Sequence, residues 1–219
     1  MAVTKTVLCF GDSLTWGWIP AEAGSPTSRY PRSIRWPGVL ADHLGDDYVV
    51  IEEGLSARTT NVDDPTDPRL NGAAYLPAAL ASHLPLDLVV LMLGTNDTKA
   101  NLGRTPFDIA TGMSILAVQV LTSAGGIGTT YPAPKLLVVA PPPLAAMPDP
   151  WFQLMFEGAH EKSAALADTY RAMTSFFKVP FFDAGSVIAT EGNDGIHFSE
   201  QNNLDLGTAL AEQVRRLLA

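Results

Sequence analysis

The chain has 219 residues, 47% of them hydrophobic and 17% charged, so it can bury a core and is too apolar to be disordered. Its 14 basic and 23 acidic residues leave a net charge of −9, which removes the basic footprint of a nucleic-acid binder and disfavours an anionic membrane surface. A single Cys excludes an intramolecular disulfide framework and fits a reducing compartment.

The first ten residues lack the long apolar stretch and cleavage site of a signal peptide. No run approaches the ~20 apolar residues of a membrane span. A cytoplasmic protein with one domain over residues 1–219 is expected. Along the chain, residues 6–10 form the first continuous apolar run of strand length. Residues 35–45 follow with Trp36, Val39, Leu40 and Leu44 on one helical stripe, ending at Gly45, a residue suited to a helix C-terminus. Residues 48–51 read as a second strand and 73–84 as an Ala/Leu-rich helix stopped by Pro85. Residues 86–93 read as a third strand, and 107–123 as a helix ending before Gly125-Gly126. Lys135–Ala140 is a fourth strand, 150–177 one long helix, and 179–182 a fifth strand. Residues 199–218 close the chain as a helix with Ser199 at its cap and Arg215-Arg216 at its end.

Strands that are apolar throughout belong to parallel sheets covered by helices on both faces. The strand-helix alternation therefore predicts an α/β layer fold. Long loops at 17–35, 54–72 and 141–149 should gather at the carboxyl rim of the sheet, where open α/β sheets bind ligands.

Of four histidines, three have ordinary readings. His43 falls on the wet side of a helix, His83 at a helix end, and His160 beside Glu157 and Glu161. His197 stands apart, in Asp194-Gly195-Ile196-His197 after the last strand. Asp194 is close enough for one turn to place its carboxylate on the imidazole, which fixes the tautomer and leaves the second nitrogen as a base. A nucleophile for that base is available in Gly11-Asp12-Ser13-Leu14, directly after the first strand. Ser13 reads equally as a helix cap or as an attacking hydroxyl. Gly54 and Gly94-Thr95-Asn96-Asp97 end the second and third strands. A glycine admits close backbone approach, and the Asn96 amide is a donor for an oxyanion. Gly-x-Ser-x-Gly occurs nowhere, which separates the chain from the nucleophile-elbow enzymes.

Four strand ends thus carry Gly-Asp-Ser-Leu, Gly, Gly-x-Asn-Asp and Asp-x-x-His, an order that resembles the SGNH/GDSL hydrolases. The resemblance implies a three-layer α/β/α flavodoxin-like fold with a five-stranded parallel sheet. It implies Ser13 as nucleophile, His197 as base and acid, and Asp194 as its orienting carboxylate. The oxyanion hole would be the Ser13 and Gly54 amides with the Asn96 side chain. The stretches 10–18, 52–71 and 149–152 are similar to the bacterial arylesterase/acyltransferase subgroup. That similarity implies a serine esterase acting on small carboxylic esters, acyl transfer to alcohols in water, and a homo-octamer. A carbohydrate O-acetyl esterase on the same site is the alternative, and a noncatalytic flavodoxin-like binding module or oligomeric scaffold the reading from another class.

Trp16, Trp18, Thr95 and Trp151 are expected to line the substrate, while Trp36 reads as core. Cys9, inside the first strand, reads as buried filling. The Asp63-Asp64-Pro65-Thr66-Asp67 run lacks the ordered Gly and Glu of a Ca²⁺ loop, and Asp12 and Asp97 read as turn formers. No metal and no cofactor is called for.

Overall fold

Continuous apolar runs have no wet face to offer, and each becomes a strand, buried nearly throughout in the middle of the sheet and half-buried at its two edges. The computed structural model describes residues 4–21, 25–190 and 194–219. The strands are β1 (Lys5–Gly11), β2 (Tyr48–Gly54), β3 (Leu88–Met92), β4 (Lys135–Ala140) and β5 (Phe181–Asp183). They form one sheet in the order β2-β1-β3-β4-β5, with every neighbour parallel. The helices are α1 (Ser13–Trp16), α2 (Trp36–Leu44), α3 (Gly72–Ser82), α4 (Pro106–Thr122), α5 (Pro150–Met155), α6 (Ala159–Ala164), α7 (Leu166–Phe177) and α8 (Glu200–Leu218).

The strands split their side chains by parity. Val7, Cys9, Leu88, Val90, Met92, Leu137 and Val139 pack with Trp36, Leu40, Leu206, Leu210 and Val214 of α2 and α8. Leu8, Phe10, Val89, Leu91, Leu136 and Val138 pack with Leu76, Ile109, Met113, Leu116, Leu166 and Tyr170 of α3, α4 and α7. Trp36 is fully buried, as its helical stripe requires, and Cys9 is buried and free. Each fully buried aliphatic side chain contributes roughly 1.5–3 kcal/mol, so this two-sided core dominates the stability of the sheet.

The residues 150–177 depart from the single helix expected of them and form three. Gly158 takes a left-handed conformation (φ 70°) at the start of α6, which ends the first segment. A second, softer break falls at Ala165, between α6 and α7. β5 begins two residues later than expected. Pro180 has no N–H to give the ladder, so only its carbonyl joins, accepting from Val138.

The chain adds β2 on one side of β1 and then returns to add β3 on the other. Loops leaving β1 and β3 therefore diverge, and the crevice between them is where an open α/β sheet takes its ligand. Among the described residues no helix is long and apolar enough to cross a membrane.

Candidate active site

Ser13 lies at that crevice, two residues beyond the end of β1. It is not the cap of α1, because Asp12 is: its Oδ1 accepts the Leu14 N–H at 2.9 Å. Ser13 is instead the first residue of this four-residue helix, which ends at Gly17 (φ 91°). The Ser13 hydroxyl is thereby free for another partner, and the partner is His197 Nε2 at 2.9 Å.

The His197 loop is built around Asp194. Its Oδ1 accepts the N–H groups of Ile196 and His197, each at 2.9 Å, and its Oδ2 meets His197 Nδ1 at 2.7 Å. Gly195 has φ 75°, and a Cβ there would lie 2.5 Å from the Ala146 carbonyl. The Ala145 N–H donates to the Gly195 carbonyl at 2.9 Å, which moors this loop on the 141–149 loop. Asn193, which precedes the motif, lies outside the described residues, as do residues 22–24 of the 17–35 loop.

With Nδ1 donating to the carboxylate, Nε2 is the acceptor of the Ser13 hydroxyl proton. Burial alone would raise the Asp194 carboxyl. The hydrogen bond and charge of His197, with the two backbone N–H groups, outweigh burial and hold it below the ordinary carboxylate value. Ser13, Asp194 and His197 are all nearly inaccessible.

Asn96 enters from the turn after β3. Its Nδ2 donates to Asp12 Oδ2 at 3.3 Å and to the Arg58 carbonyl at 3.2 Å, both long bonds. Asp97 next to it is fully buried and braces the turn, accepting from the Thr60 N–H (2.9 Å) and hydroxyl (2.6 Å) and pairing with Arg104. Burial pushes the Asp97 carboxyl up, against the pull of Thr60 and Arg104. Burial also raises Asp12, to about 7.

Gly54 is at the rim, but its amide is turned away from Ser13. The Leu55 N–H donates to the Gly11 carbonyl at 3.1 Å. Successive amides of a strand alternate in direction, so the Gly54 N–H faces the open edge of the sheet, where β2 has no further neighbour. This corrects its expected place in an oxyanion hole. Glycine is needed there for a different reason: a Cβ would lie 2.3 Å from Trp16 N and 2.6 Å from Trp16 Cα.

The rim position that the sequence did not single out is Ala57. The Arg58 N–H closes a turn on the Leu55 carbonyl at 3.1 Å, and Ala57, its third residue, has φ 68°. A type II turn asks for glycine there, and an L-residue in its place stores strain on the order of 1 kcal/mol. No Gly, Asn or Pro in 55–58 announces the turn, so no sequence cue pointed to it.

The aromatic residues divide. Trp18 stacks on the His197 ring, with centroids 4.9 Å apart and planes 17° from parallel. Trp16 contacts Trp18 at 6.3 Å and is overlaid by the Arg29 guanidinium at 5.3 Å. Thr95 is buried beside Asn96, its carbonyl accepting from the Thr98 hydroxyl. Trp151 is 66% exposed and borders a separate cavity of about 350 Å³ with Asp64, Lys99 and Leu154, none of which is a triad residue.

The other histidines have structural partners: His43 the Thr208 hydroxyl, His160 the Leu144 carbonyl, and His83 the Glu53 carboxylate at 2.7 Å. His83 ends α3 as expected, but its ring turns to Glu53. Asp64 is turned inward to Lys99 (2.9 Å) and Thr66, which rigidifies the acidic loop.

A doubly wound parallel sheet with a Ser-His-Asp chain at its switch point defines the hydrolase class to which these motifs point. The chain belongs to the GDSL-like lipase/acylhydrolase family, whose pattern matches residues 9–202. Its structure superposes on the native aryl esterase of M. smegmatis with a TM-score of 0.97 and 72% identity, covering 98% of this chain and 100% of that one. A carbohydrate acetylesterase from Sinorhizobium meliloti matches at 0.96 and 64% identity, covering 98% and 100%. A second member of the carbohydrate acetylesterase family from that organism matches at 0.90 and 41%, covering 98% and 99%. No curated protein sequence matches.

Proposed function

We propose that this protein is a serine carboxylic ester hydrolase of the arylesterase type, working through an acyl-enzyme on Ser13. The observation that carries the reading is the continuous hydrogen-bonded chain from Ser13 Oγ through both nitrogens of His197 to Asp194 Oδ2. His197 Nε2 takes the Ser13 proton as Oγ attacks the ester carbonyl, and Asp194 stabilises the imidazolium that forms. The carbonyl electron pair moves onto oxygen. Donors in reach of this crevice are the Ser13 N–H at the start of α1 and the Asn96 amide, whose two existing bonds are long and exchangeable. We read the Ala57 N–H, which does not close its own turn, as the third donor in preference to the Gly54 amide. His197 then protonates the leaving alcohol, and water or a second alcohol releases the acyl group.

Acyl transfer to alcohols is the finer part of the reading. Trp18 over His197 supports it, because an aromatic wall at the base disfavours water more than an alcohol. Trp16 and Thr95 belong to the same proposal as substrate contacts, and Trp151 enters it only through the separate cavity that it borders. We also read residues 1–219 as one domain, since both cores share one sheet. The protein is further read as a cytoplasmic homo-oligomer, octameric by its likeness to the arylesterase/acyltransferase subgroup. No cofactor, metal, nucleic acid or membrane enters the reading.

The test is Ser13→Ala with p-nitrophenyl acetate, alongside fluorophosphonate labelling of the wild type. Abolished turnover and stoichiometric labelling at Ser13 are expected, and turnover by a clean Ser13→Ala preparation would refute the assignment. Acetylated sugars are the second reading, favoured by the 64% and 41% identical acetylesterases. A leaving-group series of aryl, alkyl and sugar acetates decides between them.

A further inference from the structure

Arg58 is buried at 2% exposure directly beneath the rim, and the reaction outlined above does not use it. Its guanidinium lies 4.1 Å from the Phe10 ring and 5.2 Å from the Tyr75 ring. Nη1 donates to the Gly11 carbonyl at 2.9 Å and also to the Glu53 carbonyl. Nε has no hydrogen-bond partner among the described residues, and no carboxylate there forms an ion pair with Arg58. Burial lowers its pKa to about 10, so it remains a cation at neutral pH.

A buried cation with no carboxylate in contact, and only the more distant charges of Glu53 and Asp12 to offset burial, is expensive to keep. A Met or Leu would fill the space against the stacked Phe10 and Tyr75 rings at less expense, so packing does not account for a charge here. Its bonds do. Gly11 ends β1 and precedes Asp12-Ser13. Glu53 is the penultimate residue of β2, four before Ala57. One nitrogen joins these two carbonyls and so fixes the separation of the two strand ends. The Arg58 main-chain carbonyl accepts from Asn96 Nδ2 at 3.2 Å, which ties in the third strand end, and its own N–H closes the Ala57 turn. Three rim segments from three strands therefore meet at one residue.

We propose that Arg58 is the positioning residue of the oxyanion site, holding the Ser13 strand end, the Ala57 turn and the Asn96 amide in one rigid frame. It touches neither substrate nor the reacting hydroxyl. Its carbonyl sets the direction of the Asn96 amide, its side chain sets the spacing of β1 and β2, and its charge adds a fixed positive potential behind the donors. The inference rests on the esterase reading of Ser13.

The experiment is a double-mutant cycle between Arg58→Met and Asn96→Ala, with kcat and KM measured separately on p-nitrophenyl acetate. Arg58→Met is expected to lower kcat by ~10²-fold with KM within about threefold, as for a misplaced donor set. Asn96→Ala is expected to lower kcat by ~10²–10³-fold. The double variant should fall within about tenfold of Asn96→Ala alone, because both changes disable the same donors. Arg58→Lys, whose ammonium can still donate to both carbonyls, should recover most of the kcat lost in Arg58→Met. Should Arg58→Met not fold, the cycle is run with Arg58→Lys, whose smaller loss must show the same coupling. Losses that multiply in full, or a folded Arg58→Met with unchanged kcat, overturn the proposal. A Ser13→Ala protein that still turns over refutes the esterase reading itself, whereas an inert one beside a fully active Arg58→Met refutes only the role of Arg58.

Discussion

The indole of Trp18 lies face to face with the His197 imidazole, 4.9 Å between centroids and 17° from parallel. The contact strengthens when the ring is protonated, because a cation on an aromatic face gains ~0.5–2 kcal/mol. In the proposed cycle His197 is protonated only once Ser13 has attacked, so the gain falls on the transition state. Trp18→Ala should lower kcat roughly tenfold, at about 1.4 kcal/mol per decade, and Trp18→Phe should stay within about threefold of wild type. Steady-state kinetics on an aryl and an alkyl acetate check this. A loss confined to KM would instead make Trp18 a substrate wall only.

Asp194 holds His197 by the side chain and by the backbone at once. Asp194→Asn can keep an acceptor for the two backbone N–H groups, but an amide NH₂ facing Nδ1 favours the opposite tautomer. The expected loss in kcat is ~10³–10⁴-fold with the fold retained, as a tautomer error predicts. Circular dichroism and single-turnover kinetics test it, and a loss under tenfold would remove Asp194 from the catalytic chain.

Much of this was legible in the sequence because the information is local. A strand buried on both faces is an unbroken apolar run, and Gly11-Asp12-Ser13 and Asp194 to His197 each sit within a few residues. What stayed hidden depends on partners far along the chain. The direction of the Gly54 amide is fixed by register against Gly11, and the reason for a glycine there is Trp16. Ala57 takes a glycine conformation under a residue name that does not announce it. Arg58 reads as a surface cation until Phe10, Tyr75 and two strand ends enclose it. The break at Gly158 interrupts a stretch whose Ala/Leu/Met pattern continues across it, so periodicity alone runs straight through.

Gly54→Ala tests the packing role directly. A Cβ 2.3 Å from Trp16 N must push α1 away from β2, and α1 begins with Ser13. Overpacking of this kind costs about 1–3 kcal/mol. The variant should melt at a lower temperature and also lose kcat, since the shift is carried to the nucleophile. Unchanged thermal melting and kcat would mean that α1 yields freely, and that the glycine is not required for close approach.

Asp12 provides a pH signature. Burial raises its carboxyl from the ordinary value to about 7, so the folded state holds a proton that the unfolded chain releases near pH 4. The sign follows from proton counting: between pH 4 and 7 the native state binds more protons, so stability falls as pH rises. This contribution is fully present below the unfolded pKa and is lost as pH climbs through about 7. Asp12→Asn keeps an oxygen for the Leu14 N–H and cannot ionise. The wild type should therefore lose stability relative to Asp12→Asn between pH 4 and 8, by a few kcal/mol at ~1.4 kcal/mol per unit. The absolute order of the two proteins is set separately, because an amide at position 12 faces the Asn96 NH₂ and forfeits that bond. Denaturant melts of both proteins across this range isolate the difference. A gap that does not vary with pH would mean that Asp12 is ionised throughout and that its charge is stabilised in the buried site.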